Sequence, residues 1–79
     1  MSKKQDAKWY IRQNGATWMM LIDVQDMTGL SREVVRQAVV ELSNDGVLET
    51  KMEGRYICFR LKEWYRKQFI DVSENVNQP

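Results

Sequence analysis

Thr28-Gly29-Leu30-Ser31-Arg32-Glu33-Val34-Val35-Arg36-Gln37-Ala38-Val39-Val40-Glu41-Leu42 is the stretch on which the fold turns. Val35, Ala38, Val39 and Leu42 recur at steps of three and four, which is one face of a helix. Ser31 stands just ahead of them, where a hydroxyl oxygen can accept from a free amide of the first turn. The pattern predicts a helix over 32–43. Gly29 suits the left-handed position that ends a preceding helix. Asn44-Asp45-Gly46 predicts the stop.

Upstream, Met20, Leu21, Val24 and Met27 predict a short helix over 20–28. Thr17 to Met20 is open between a short strand and a Thr17 N-cap. Residues 3–14 predict a first helix with Ala7, Tyr10 and Ile11 on one face, Trp9 off it, and Asn14-Gly15 as the stop. Downstream the period changes to two. Val47–Met52 and Arg55–Leu61 are β-rich, and Glu53-Gly54 between them marks a hairpin. Ile57, Phe59 and Leu61 are the expected core face. Leu61, Trp64, Tyr65, Phe69 and Val72 then space as a final helix from Lys62. The expected organisation is one domain over 1–72 and a flexible polar tail over 73–79.

The order predicts an α+β fold: three helices, a two-stranded β-hairpin wing and a C-terminal helix. Two helices joined by a tight glycine turn form a helix-turn-helix, whose second helix fits a major groove. The hairpin after it is a wing. Residues 4–61 resemble the winged helix-turn-helix superfamily. Residues 28–42, with Asp45-Gly46-Val47-Leu48, are similar to the recognition segment of gluconate-repressor-type bacterial regulators. Ser31, Arg32, Val35, Arg36, Ala38 and Leu42 match that pattern in place. The resemblance implies a serine cap near phosphate and DNA contacts by Arg32 and Arg36. Val34 stands where that family has threonine. Tyr56 follows Gly54-Arg55 where the family has a second glycine.

Composition narrows the alternatives. Seventy-nine residues are too few for more than one small core. No histidine is present, which removes the commonest general base and metal ligand. The single cysteine, Cys58, excludes an internal disulfide, and its apolar neighbours suit a buried residue. Neither catalytic residues, a metal site nor a cofactor is expected. No apolar run is long enough for a membrane span, and a cytoplasmic location is expected. Net charge is only +1, with basic excess at residues 1–13 and 60–67.

The expected function is a DNA-binding transcriptional regulator, bacterial or phage, with helix 32–43 in the major groove and hairpin 47–61 as wing. The candidate DNA-binding residues are Ser31, Arg32, Glu33, Arg36, Gln37, Lys51, Gly54 and Arg55. Arginine can fork onto guanine, glutamine can pair with adenine, and a carboxylate can accept from cytosine N4. Glu33 in this position is more often a partner for the helix dipole than a cytosine reader. Lys51 and Arg55 are equally partners for Glu49 and Glu53. Trp9, Tyr10, Trp64, Tyr65 and Phe69 are the candidate homodimer interface; closure of the last helix on the first is the alternative. Double-stranded DNA is the expected partner, with no membrane and no small-molecule effector. The alternative function is a protein-interaction module, such as a phage inhibitor or adaptor of nucleic-acid machinery. A DNA-architectural protein of the excisionase kind shares the fold but is ordinarily more basic.

Overall fold

The computed structural model describes residues 2–68. Helix α1 spans Lys3–Asn14, strand β1 Met19–Met20, helix α2 Leu21–Thr28, helix α3 Arg32–Asn44, strand β2 Leu48–Glu53 and strand β3 Tyr56–Leu61. Residues 63–68 are again helical. Phe69, Val72 and the tail over 73–79 lie outside the described residues.

Each helix begins and ends on local chemistry. Ser2 caps α1 by accepting from the Gln5 amide at 3.1 Å. At α2 the capping group comes from inside the helix: Asp23 accepts from the Met20 amide at 2.8 Å. Thr17 is therefore not the cap, because the chain stays extended until Met20. Gly29 ends α2 with φ 74° and donates to the Gln25 carbonyl. Thr28 fastens the same turn, its hydroxyl donating to the Val24 carbonyl and accepting from the Leu30 amide. Ser31 caps α3 by accepting from the Val34 amide at 3.3 Å. Val35, Ala38, Val39 and Leu42 of α3 are all buried, as their spacing predicts.

The hairpin recruits a third strand. All pairs are antiparallel in the order β1-β3-β2, with Met19 opposite Phe59 and Thr50 opposite Phe59 on the other side. Thr17–Met20 thus resolves as a strand at Met19–Met20. Expecting a two-stranded wing alone missed it, because two residues carry no periodicity of their own. The hairpin loop is Gly54-Arg55 between Glu53 and Tyr56, one residue later than Glu53-Gly54. Gly54 takes φ 61° and, among the described residues, no non-glycine takes positive φ, the pattern of a type II′ turn.

The core lies where α1, α2 and α3 meet the sheet. Phe59, Ile11, Leu42, Val24 and Val35 are its largest fully buried side chains. Two expected core positions fall outside it. Met27 is 70% exposed, on the rim of an open groove between α2 and α1 beside Trp9 and Tyr10. Ile57 is 37% exposed, because the outer half of the hairpin projects past them. Cys58, on the opposite face of β3, is nevertheless buried.

Gly15 is needed for a reason the sequence does not state. Its φ is an ordinary −86°. A Cβ there would stand 2.6 Å from the Ile11 carbonyl oxygen and 3.1 Å from Leu61 Cγ. The Gly15 carbonyl accepts from the Leu61 amide at 2.8 Å, fastening the α1 exit to the end of β3.

One ion-pair cluster joins α1 to α3. Glu41 receives Lys4 and Lys8, each at 2.6 Å, and Lys8 is buried. The hydrogen bonds from Lys4 and then Lys8 hold the Glu41 carboxyl below the usual carboxylate range. A carboxylate so lowered stabilises the fold fully above its unfolded pKa, and that contribution is lost as pH falls through the folded value. Glu41→Gln should therefore melt below the parent at pH 7, and the difference should narrow at pH 3, below the unfolded carboxylate range. Thermal melts of both proteins at the two pH values check this.

Candidate nucleic-acid interface

The outward side of α3 carries Arg32, Glu33, Arg36, Gln37 and Val40, all exposed. The buried stripe of the same helix fixes which way they point. The two-residue turn after Gly29 fixes α3 against α2, and the hairpin returns beside its start.

Between α2, the first residue of α3 and the hairpin lies an open groove of about 540 Å³. Its floor is apolar, with Ile22, Met52, Tyr56 and Ile57 contributing exposed surface. Arg32 lines it from α3 and Arg55 from the hairpin loop. Neither arginine has an ion-pair partner among the described residues. Two uncompensated guanidinium groups on one groove attract anions, and each can fork onto phosphate. The apolar floor suits sugar edges and methyl groups rather than free ions.

The other candidate cations are already engaged. Arg36 donates to both carboxylate oxygens of Glu33, at 3.1 and 2.6 Å. Gln37 adds a hydrogen bond to Glu33 at 3.3 Å. The bonds from Arg36 and then Gln37 hold Glu33 below the usual carboxylate range, and the bond to Glu33 raises Arg36 in turn. Lys51 pairs with Glu53 at 3.0 Å, and its ammonium lies 4.4 Å from the Trp18 ring centroid. That contact draws Lys51 onto the outer sheet face, away from the groove. Arg60 also sits 4.4 Å from the Trp18 centroid and pairs with Glu49 at 3.2 Å. Of the two wing cations, then, Lys51 follows the salt-bridge alternative and Arg55 does not. Trp18 is the functional neighbour that sequence reasoning passed over. Its signal, an aromatic flanking a strand opposite basic residues, exists only once β1 pairs with β3.

The candidate interface aromatics divide. Trp9 is 59% exposed and borders a shallow second groove with Asp6, Tyr10 and Met27. Tyr10 and Tyr65 pack partly buried against the core. Trp64 is half exposed, donates from its indole nitrogen to the Gly46 carbonyl at 3.1 Å, and meets Tyr65 edge to face. Phe69 lies outside the described residues. Tyr65 and Trp64 therefore close this domain as well as offering surface.

No cluster of three metal-ligating side chains occurs among the described residues, and none of their helices is long and apolar enough to cross a membrane. No protein-family model matches the chain, and no curated protein does. A solved structure does match. It concerns the mechanism by which 6-hydroxynicotinic acid regulates DNA binding of Bordetella bronchiseptica BpsR. The TM-score is 0.63 at 18% identity, over 99% of this chain. The likeness is one of fold. This chain spans 63% of the length of that one. The element order, the glycine turn before α3 and the hairpin after it make the domain an α+β winged helix-turn-helix.

Proposed function

We propose that this chain is a transcriptional regulator of bacterial or phage type that binds double-stranded DNA. In this proposal it works in the cytoplasm as a homodimer, with α3 in the major groove and the hairpin as wing. The observation that carries it is the pair Arg32 and Arg55, both uncompensated, on the groove beside the polar face of α3. Arg32 and Arg55 hold backbone phosphate; Ser31 and the first amides of α3 stand at a helix start that favours the same anion. Arg36 and Gln37 read base edges, and Val40 offers an apolar contact to a thymine methyl. The similarity of residues 28–42 to gluconate-repressor-type regulators supports the assignment of Ser31, Arg32 and Arg36. In BpsR, DNA binding is the regulated property, which supports the same use of this fold.

Exposed Trp9 supports a subunit interface on the α1 side, since tryptophan favours interface centres. Two copies so joined would present two α3 helices about one or two DNA turns apart. A second reading, a protein-interaction module, is favoured by one observation: the shallow groove of Trp9, Tyr10 and Met27.

A polarisation titration with random-sequence duplex separates the two. DNA binding predicts at least micromolar affinity at low salt that falls steeply as salt rises. Selection from randomised duplexes then yields the site. No binding at 50 mM salt would sink the DNA assignment and leave the protein partner.

A further inference from the structure

Glu33 stands among the residues proposed to read DNA, yet it is acidic and faces a polyanion. Its surroundings give it a task. Its carboxylate accepts from Arg36 Nε at 3.1 Å, from Arg36 Nη2 at 2.6 Å and from Gln37 Nε2 at 3.3 Å. Arg36 and Gln37 lie one turn after Glu33 on the exposed face of α3. The two carboxylate oxygens occupy the Nε–Nη2 edge of Arg36, one of the two guanidinium edges that can fork onto guanine O6 and N7. In the free protein, therefore, the two base-reading side chains are already bound to an internal acceptor.

A stray phosphate reaches the free Nη1 edge of Arg36 only beside the Glu33 charge, and takes the Nε–Nη2 edge only by stripping it from Glu33. That leaves a carboxylate unpaired beside negative charge. A base pair can do better. Cytosine N4 and adenine N6 are amino donors in the major groove, and a carboxylate can accept from either. Where such a donor neighbours a guanine, Arg36 and Glu33 can both exchange partners without a loss.

Resting on the DNA-binding proposal, we infer that Glu33 is a specificity-determining residue. It withholds Arg36 and Gln37 from the DNA backbone and releases them where an amino donor meets the carboxylate beside a guanine edge. Arg32, with no such partner, remains free for backbone contact on any sequence.

The test compares the full chain with Glu33→Gln by polarisation, on the duplex selected by the parent and on a scrambled duplex of equal length. Salt is varied for both. Glu33 is exposed and its bonds stay within one helix, so Glu33→Gln should remain folded and melt only slightly below the parent, checked by circular dichroism. For Glu33→Gln, affinity for the scrambled duplex should rise about tenfold. Its salt slope on that duplex should steepen by about one, as Arg36 gains a phosphate. The ratio of selected to scrambled affinity should fall correspondingly. A parent that binds and discriminates, with an unchanged ratio and slope in Glu33→Gln, overturns the role of Glu33 alone. A parent that binds no duplex overturns the DNA assignment and this role with it.

Discussion

Phe59→Ala is expected to lower the melting temperature by roughly 15–30 °C, the largest stability effect of any single change to the core. Phe59 is fully buried and sits on β3, the central strand, opposite Met19 on one side and Thr50 on the other. Its ring therefore packs under both halves of the sheet and against the helices. Truncating a buried phenylalanine costs about 3–5 kcal/mol, as lost transfer energy plus the cavity left behind. A domain of this size has roughly 4–12 kcal/mol in all. The variant should unfold partly at ordinary temperature, with the helical signal lost and tryptophan emission shifted together. Tyr56→Ala, on the same strand but 61% exposed, is the control and should shift the melt by only a few degrees. Equal shifts in the two variants would show that β3 is not the core strand.

The second large effect concerns binding. Arg32→Ala combined with Arg55→Ala should weaken duplex DNA binding roughly 10- to 100-fold at 0.1 M salt, on every sequence alike. The salt slope should fall by about two, one phosphate contact for each guanidinium removed. Neither side chain has an ion pair to lose among the described residues, so the melting temperature should hold. Arg36→Ala should behave differently, costing about 1–3 kcal/mol at one base position and leaving other sequences nearly untouched. The contrast separates backbone contact from base reading. Polarisation against a panel of duplexes measures both. A double variant with an unchanged slope would remove the groove from the interface.

Much of the domain was legible because its signals are local. The α3 helix needs only its own residues: Ser31 supplies the cap, and Val35, Ala38, Val39 and Leu42 supply the stripe. Gly29 and Gly54 are demanded by left-handed backbone at single positions. What misled was extrapolation along an element. Met27 continues the stripe of α2 by spacing, but it sits on the rim of a groove open to solvent beside Trp9 and Tyr10 and stays exposed. Ile57 alternates correctly with Phe59 and Leu61, yet the hairpin outruns the helices that would cover it.

The site was legible as a set of residue types and not as a set of partnerships. Arg32, Arg36, Lys51 and Arg55 look alike as four cations near a recognition helix. The fold distinguishes them: among the described residues Arg36 and Lys51 have carboxylates within reach, and Arg32 and Arg55 do not. The Glu33 clamp spans a single helical turn, but its formation depends on which rotamers the exposed face leaves open.

By itself the sequence determined α3, its cap, the glycine turn ahead of it and the hairpin behind it. All of these follow from hydrogen bonds and periodicity within a few residues. Only the tertiary structure decided that Met19–Met20 pairs with β3 nearly forty residues away, and that Trp18 thereby draws off Lys51. It also brought Arg32 and Arg55 to one groove. Charge availability depends on distance in space, and a chain of residue types carries that distance only after it has folded.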